Sequence, residues 1–211
     1  MPHRRYIAPI SSPATLILEG MKIRRNQVAA AALLFGAFVH AFAQSAAVDP
    51  ALLAKANAGD ATAQIAVGAI YEKGDGNKPD YAQAVAWYRR AADLNSSEAE
   101  FRLAAFYRDG RGVSRDMAEA ACWYRKAGEL GHVKAQAALA ILYSMGQGVP
   151  HNDVEAYYWY ALAAAVKGPD QEKFAANRQS MAARIPADDL QDAQARVAKW
   201  IAAHPRADAS N

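Results

Sequence analysis

The chain has 211 residues, 53% of them hydrophobic, which is enough apolar material to bury one domain-sized core. Five of its 24 basic residues and one of its 21 acidic residues precede residue 44, so the remainder holds 19 bases against 20 acids and is close to neutral. A nucleic-acid partner needs a basic face, so composition offers no argument for one and no nucleic acid is expected.

The first segment with a recognisable order runs from Met21. Lys22, Arg24 and Arg25 precede an apolar run from Val28 to Val39, and Ala41-Phe42-Ala43 stands before Gln44. A basic region, an apolar region and an A-x-A site in that order make the layout of a secretory signal peptide. The mature chain is therefore expected to begin at Gln44 and to be periplasmic or secreted. About 12 apolar residues fall short of the ~20 that span a bilayer, so no stable membrane insertion is expected after cleavage. Residues 1–20 contain prolines and no apolar run, which points to Met21 as the true start. The single cysteine, Cys122, has no internal partner for a disulfide and is expected as a small buried hydrophobe.

Residues 44–59 read as an N-terminal half-unit, since Asp49 to Gly59 matches the last turns of a helix that recurs later. From residue 60 the chain repeats itself. Trp87, Trp123 and Trp159 are 36 residues apart, and the same step links Ala63, Ala99 and Ala135, then Tyr71, Tyr107 and Tyr143. Paired glycines keep the step too: Gly74 and Gly76, Gly110 and Gly112, Gly146 and Gly148. Amphipathicity repeats polarity but does not fix Gly, Trp and Tyr at a long period, so this is a repeat protein of three units over 60–168.

Each unit resolves into two helices. Ala63, Val67 and Tyr71, like Ala99, Leu103 and Tyr107, stand four apart and make one stripe on a first helix, helix A. Gly68, Ala104 and Ala140 put small residues beside that stripe. The Gly-x-Gly that follows ends the helix, because glycine accepts the left-handed C-cap conformation. A second helix, helix B, opens with Asp80 and Gln83, Asp116 and Glu119, or Asn152 and Glu155, the spacing of a capping box. Ala84, Trp87 and Ala91 and their counterparts form its inward stripe. After Pro169, two further helical stretches are expected, divided at Ile185-Pro186. In the second of them Leu190, Ala193, Val197 and Trp200 recur at three- and four-residue steps. Residues 169–204 are read as a C-terminal cap and 205–211 as a tail. The fold expected is an all-α solenoid of stacked helix-turn-helix units.

The chain has no H-E-x-x-H, C-x-x-C, G-x-S-x-G or G-x-x-x-x-G-K pattern. His132, His151 and His204 occupy unrelated repeat positions, and His132 is expected as a solvated residue at the start of a helix A. Asp75 to Asp80 carries Pro79 where a calcium loop needs a ligand, so a turn with an N-cap explains it better. No catalytic residue, metal or cofactor is expected.

The run A-x-x-x-L-A-x-x-Y-x-x-G-x-G-V-x-x-D-x-x-x-A-x-x-W-Y-x-K-A from Ala99 to Ala127 resembles the Sel1-like repeat, a relative of the tetratricopeptide repeat. The first unit departs from it at Asn77 and the third at Asn152. The resemblance implies a scaffold or adaptor that binds other proteins of the cell envelope, in signalling or in envelope assembly. The alternative it raises is a cell-wall enzyme, because some cysteine-rich secreted members have been linked to penicillin binding or β-lactam hydrolysis. That chemistry calls for S-x-x-K, and no serine here has a lysine three residues on.

In such superhelices helix A usually lines the inner face. Carried over by position, the inner residues are Ile65, Ala69 and Glu72 in the first unit, with Thr62. They are Glu98, Phe101, Ala105 and Arg108 in the second, and Lys134 and Ile141 in the third, with Ala137 and Ser144. Ile65, Phe101 and Ile141 make a partly apolar strip edged by charge that suits a segment of a partner protein. Phe101 and Ile65 would equally serve to pack against the next repeat. Phe106, Arg111, Tyr157 and Tyr158 are secondary candidates on other faces.

Overall fold

The structure, a computed structural model, describes residues 48–74 and 78–205. The signal peptide expected at 21–43 with the residues before it, Gln44 to Ala47, Asp75 to Asn77 in the first hairpin loop, and the tail 206–211 lie outside the described residues. Every regular element among the described residues is a helix. They are α1 (Pro50–Asn57), α2 (Ala61–Lys73), α3 (Tyr81–Ala92), α4 (Ser97–Asp109), α5 (Met117–Glu129), α6 (Val133–Met145), α7 (Asp153–Ala164), α8 (Gln171–Ala182) and α9 (Ala187–Ala203). α2 with α3, α4 with α5 and α6 with α7 form three helical hairpins. Each helix B packs on the next helix A, α3 on α4 and α5 on α6, and α1 covers α2.

The helix A elements end where the glycine pairs predict. Gly74, Gly110 and Gly146 take φ of 82°, 69° and 65° at the three C-caps, a conformation that any Cβ would strain. The helix B starts hold a difference. Asp80, Asp116 and Asn152 each accept at 3.0 Å from the backbone N–H three residues on, but the reciprocal half of the capping box is not made. The N–H groups of Asp80, Asp116 and Asn152 donate instead to the carbonyls of Tyr71, Tyr107 and Tyr143, at 2.9, 2.9 and 3.0 Å. Those carbonyls lie in the last turn of helix A, where the regular intrahelical ladder runs out, although that of Tyr143 also accepts from the Gly146 N–H at 3.4 Å. The backbone thus closes each hairpin on itself, and the third residue of helix B is free for other partners. Glu119 accepts from Trp123 Nε1 at 2.8 Å, and Glu155 pairs with Arg196 of α9 at 2.8 Å. Trp159 Nε1, buried, is left without a hydrogen-bond partner among the described residues.

Small residues set the helix spacing. A Cβ at Gly68 would come within 2.8 Å of the Tyr88 ring. A Cβ at Gly112 would stand 2.4 Å from the Tyr81 carbonyl carbon, and one at Gly148 would stand 2.1 Å from the Met117 carbonyl oxygen. Gly112 and Gly148 therefore lie against the backbone that opens helix B of the preceding unit. Around these contacts Tyr88, Tyr124, Phe106, Leu103, Leu139 and Leu162 are fully buried, each burial contributing roughly 1.5–3 kcal/mol.

The ends of the stack differ from its middle. α1 covers the first unit through Ala56, which joins Ala63, Val67 and Trp87 in a small cluster with Leu52 and Leu53 packed on it. α8 packs on α7 as another helix A would, but α9 does not continue the pattern and packs on α7 as well. Ala193 is its buried residue, with Leu190, Val197 and Trp200 packed on the core. Arg184 ties the link before α9 to Asp153 at 3.0 Å. Cys122, expected buried, is exposed. It occupies the repeat position of exposed Ala86 and buried Tyr158, and that position is covered only where α9 lays Arg196 over the Tyr158 ring, 4.5 Å from its centroid.

Gly148→Ala is expected to cost about 2–4 kcal/mol, combining left-handed strain with a backbone clash. Gly59, at φ 95°, has nothing within 4 Å of an added Cβ, so Gly59→Ala is expected to cost only the conformational part, about 1 kcal/mol. Urea unfolding of both variants checks this, and equal losses would refute the close approach as the reason for the second glycine.

Candidate functional site

The residues predicted to line the inner face sit on α2, α4 and α6, and their surroundings divide them. Ile65 and Phe101 are half-buried and pack on the core, and Ala69 and Ala105 are half-buried. Ala137 is buried, 6% exposed, because α6 carries a smaller residue where α4 has Phe101, so it offers no surface. Lys134 and Arg108 are exposed, and Ile141 is 43% exposed, a large fraction for an isoleucine on a packed helix. Among the secondary candidates, Phe106, Tyr157 and Tyr158 are core residues.

Glu72 and Glu98 belong to a chain of charges that runs across the units. The guanidinium of Arg111 stands over the Phe106 ring, 4.4 Å from its centroid, and donates to Glu72 Oε1 at 3.1 Å. Glu72 Oε2 accepts from the Tyr88 hydroxyl at 2.7 Å and pairs with Arg102 at 3.4 Å. Arg102 Nε donates to Glu98 Oε1 at 2.6 Å, and Glu98 Oε2 meets His132 Nε2 at 3.1 Å. Burial, together with the Glu72 carboxylate, pushes Tyr88 far above the ordinary tyrosine range, so its hydroxyl stays a donor. Burial alone would raise Glu98, but the hydrogen bond to His132 and the pair with Arg102 outweigh it and hold the carboxyl below its usual range. Tyr124, one repeat on from Tyr88, accepts from Arg108 Nη1 at 3.1 Å. The hydroxyl at this position therefore serves an acid in the first unit and a base in the second.

His132 corrects the expectation of a solvated helix start. Its Nδ1 caps α6 by accepting from the Ala135 N–H at 3.1 Å, and its ring stacks on Phe101 with centroids 4.5 Å apart. Phe101 also meets Tyr124 at 5.8 Å. Phe101 thus links its own unit to the first residue of the next, and the imidazole orients Glu98. Sequence reasoning missed Arg102, Tyr88 and His132 as partners of the inner-face acids. The i,i+4 spacing of Glu98 and Arg102 was a readable signal, whereas the contacts to Glu72 and His132 span 30 and 34 residues and had no local signature.

A concavity of about 430 Å³ lies where Arg125 and Tyr143 meet Glu155, Tyr158, Trp159 and Arg196. Arg125 donates to the Tyr143 hydroxyl, as Arg89 does to that of Tyr107 one repeat earlier. These residues pair with one another across successive units, an arrangement that joins helices.

A family profile described as the Sel1 repeat matches residues 61–96, 97–132 and 133–165, one match for each hairpin. The crystal structure of a Sel1 repeat protein from Oxalobacter formigenes is 33% identical, with 95% of its length and 61% of this chain aligned at a TM-score of 0.55. The chain belongs to the Sel1 repeat family. A second similar structure is a protective antigen of uropathogenic Escherichia coli strains displaying an SLR fold, 34% identical over 72% of this chain at a TM-score of 0.62. The chain spans only 32% of the length of that antigen. No curated protein matches the chain significantly. Sel1 repeat proteins generally mediate protein–protein interaction and are typically non-enzymatic scaffolds.

The lowered Glu98 carboxyl gives a signed prediction. A group whose folded-state pKa is depressed adds stability above its unfolded pKa and loses it as pH falls through the folded value. Glu98→Gln is expected to cost at most about 1 kcal/mol at pH 7, since the pair is partly solvated, and the difference from the parent should shrink as the pH falls below the ordinary glutamate value of about 4.3. Urea midpoints at pH 7 and 3 measure it, and a difference independent of pH would show that the ion pair is not its source.

Proposed function

We propose that the protein is an adaptor of the bacterial cell envelope, and that it binds a segment of a partner protein on its helix A side, without catalysis. The observation that carries the reading is the ordered chain of charges from Arg111 to His132, beyond which Ile141 stands exposed. Charged side chains held by neighbours lose little freedom when a partner arrives, which favours binding. The exposed Ile141, on the helix that His132 caps, supplies apolar area of the kind that anchors an interface. Ile65, Ala69, Phe101 and Ala105 form the floor of this surface, Glu72 and Glu98 its ordered polar line, and Arg108, Lys134 and Ile141 its accessible contacts.

Export rests on the signal-peptide layout before Gln44, and the relationship to a protective antigen supports it. Among the described residues no helix is long and apolar enough to cross a membrane. A stack of three units offers a modest area, in keeping with a regulatory contact or a place as one subunit of an assembly.

Arg108→Ala with Ile141→Ser removes two exposed side chains and is expected to leave helical circular dichroism intact. Capture of crosslinked partners from the native envelope should fall at least about tenfold, the loss of one or two interface anchors. Undiminished capture by a folded double variant would remove the helix A side from the interface.

A further inference from the structure

The 36-residue register carries a change of chemistry at a buried polar position. Gln64 and Gln136 are buried, and each donates through Nε2 to a carbonyl at the end of the preceding helix, Ala56 at 3.0 Å and Gly128 at 2.9 Å. The member of this series between them is Glu100, 3% exposed, and the carbonyl at the equivalent register is that of Ala92. An ionised carboxylate has no hydrogen to give a carbonyl. In all three residues one side-chain oxygen lacks a hydrogen-bond partner among the described residues. For the two glutamines that atom is a neutral amide oxygen, and for Glu100 it is Oε2 of a carboxyl. Leaving a charge buried and unpaired is far costlier than leaving an amide oxygen.

The position is not sealed. Glu100 lines a cleft of about 390 Å³ with Asp93, Asn95, Trp123, Lys126 and Glu129, between the ends of α3 and α5. Three carboxylates thus share it with one ammonium, and that ammonium lies on the Trp123 ring, 3.9 Å from its centroid. Leu130, 51% exposed, borders the cleft. Burial pushes the Glu100 carboxyl up, with Lys126 opposing the rise and Glu129 adding to it. Among the described residues no three His, Cys, Asp or Glu side chains are grouped to hold a metal ion. A partner cation that needs only one or two carboxylates would supply the charge that the ionised Glu100 lacks.

We propose that this cleft receives the ammonium or guanidinium of a lysine or arginine side chain from a partner protein, which pairs with Glu100 while its aliphatic stem lies along Trp123 and Leu130. An ammonium brings the donors that the buried oxygen lacks. The inference rests on the reading of the chain as a protein-binding module and is independent of which helix side binds elsewhere.

The test titrates the purified protein with N-acetyl-lysine methylamide, following the Trp123 indole N–H by nuclear magnetic resonance. The norleucine analogue serves as the neutral control and putrescine as a free diamine. Saturable shifts at Trp123 are expected, with a Kd on the order of 1–10 mM for the lysine probe and none for norleucine. Glu100→Gln places at this register the residue its two counterparts already hold. This variant should fold with an unchanged or higher melting temperature and weaken the lysine probe at least about tenfold. Binding that survives in the folded variant, or no saturation below about 50 mM, overturns the site. Putrescine binding more tightly than the lysine probe overturns the protein side chain as its ligand. Because the probe is a small molecule, this outcome is read separately from the envelope capture that tests the helix A side.

Discussion

The stack depends on how closely one hairpin loop approaches the hairpin before it. Gly112 and Gly148 lie against the carbonyls that open α3 and α5, at distances no side chain would tolerate. That contact fixes where each unit sits on its predecessor before any large side chain is placed. The pairing of the helix B N-cap amide with the helix A tyrosine carbonyl fixes the unit internally. Both are backbone contacts, so they leave side chains free to vary along the stack, and the aromatic residues fill the space that the backbone spacing defines.

Most of the architecture was legible because repetition multiplies weak signals. One Gly-x-Gly or one Asp three residues before a Gln is an ambiguous cue, but three in register at 36 residues place the helix ends. The failures occurred where a long-range partner overrides a local pattern. The capping box has the right spacing at all three sites, yet its reciprocal bond is displaced by a carbonyl nine residues earlier that needs a donor more. Cys122 was misjudged because burial at its repeat position depends on α9, which arrives from beyond the third unit only at Tyr158. His132 was misjudged because its partners, Glu98 and Phe101, come from the previous hairpin.

A candidate surface could be proposed from register, but the state of its residues could not. Register places Ile65, Glu72 and Arg108 on the helix A elements, α2 and α4. Their states stay hidden, because a charge reads the same in the sequence whether it faces solvent or a neighbour. Glu72 and Glu98 are ordered by Arg111, Arg102 and His132, whereas Ile141 is left to solvent. Where the sequence repeats, it builds the scaffold. Where it departs from register, as at Glu100 between two glutamines, the departure changes what the scaffold offers to others.

The course of α9 has a consequence for how the molecule comes apart. In a regular stack each unit touches only its neighbours, and stability is close to a sum over adjacent pairs. α9 breaks that rule by folding back over α7 and bringing Trp200 within 3.7 Å of where a Cβ of Gly131 would stand, at the turn between the second and third units. It works as a strap that makes the C-terminal half one cooperative block. Among the described residues, the N-terminal end is held by α1 and a small cluster around Val67 and Trp87. Amide hydrogens should therefore exchange soonest in α1 and α2, and the protein should unzip from its first unit towards its last.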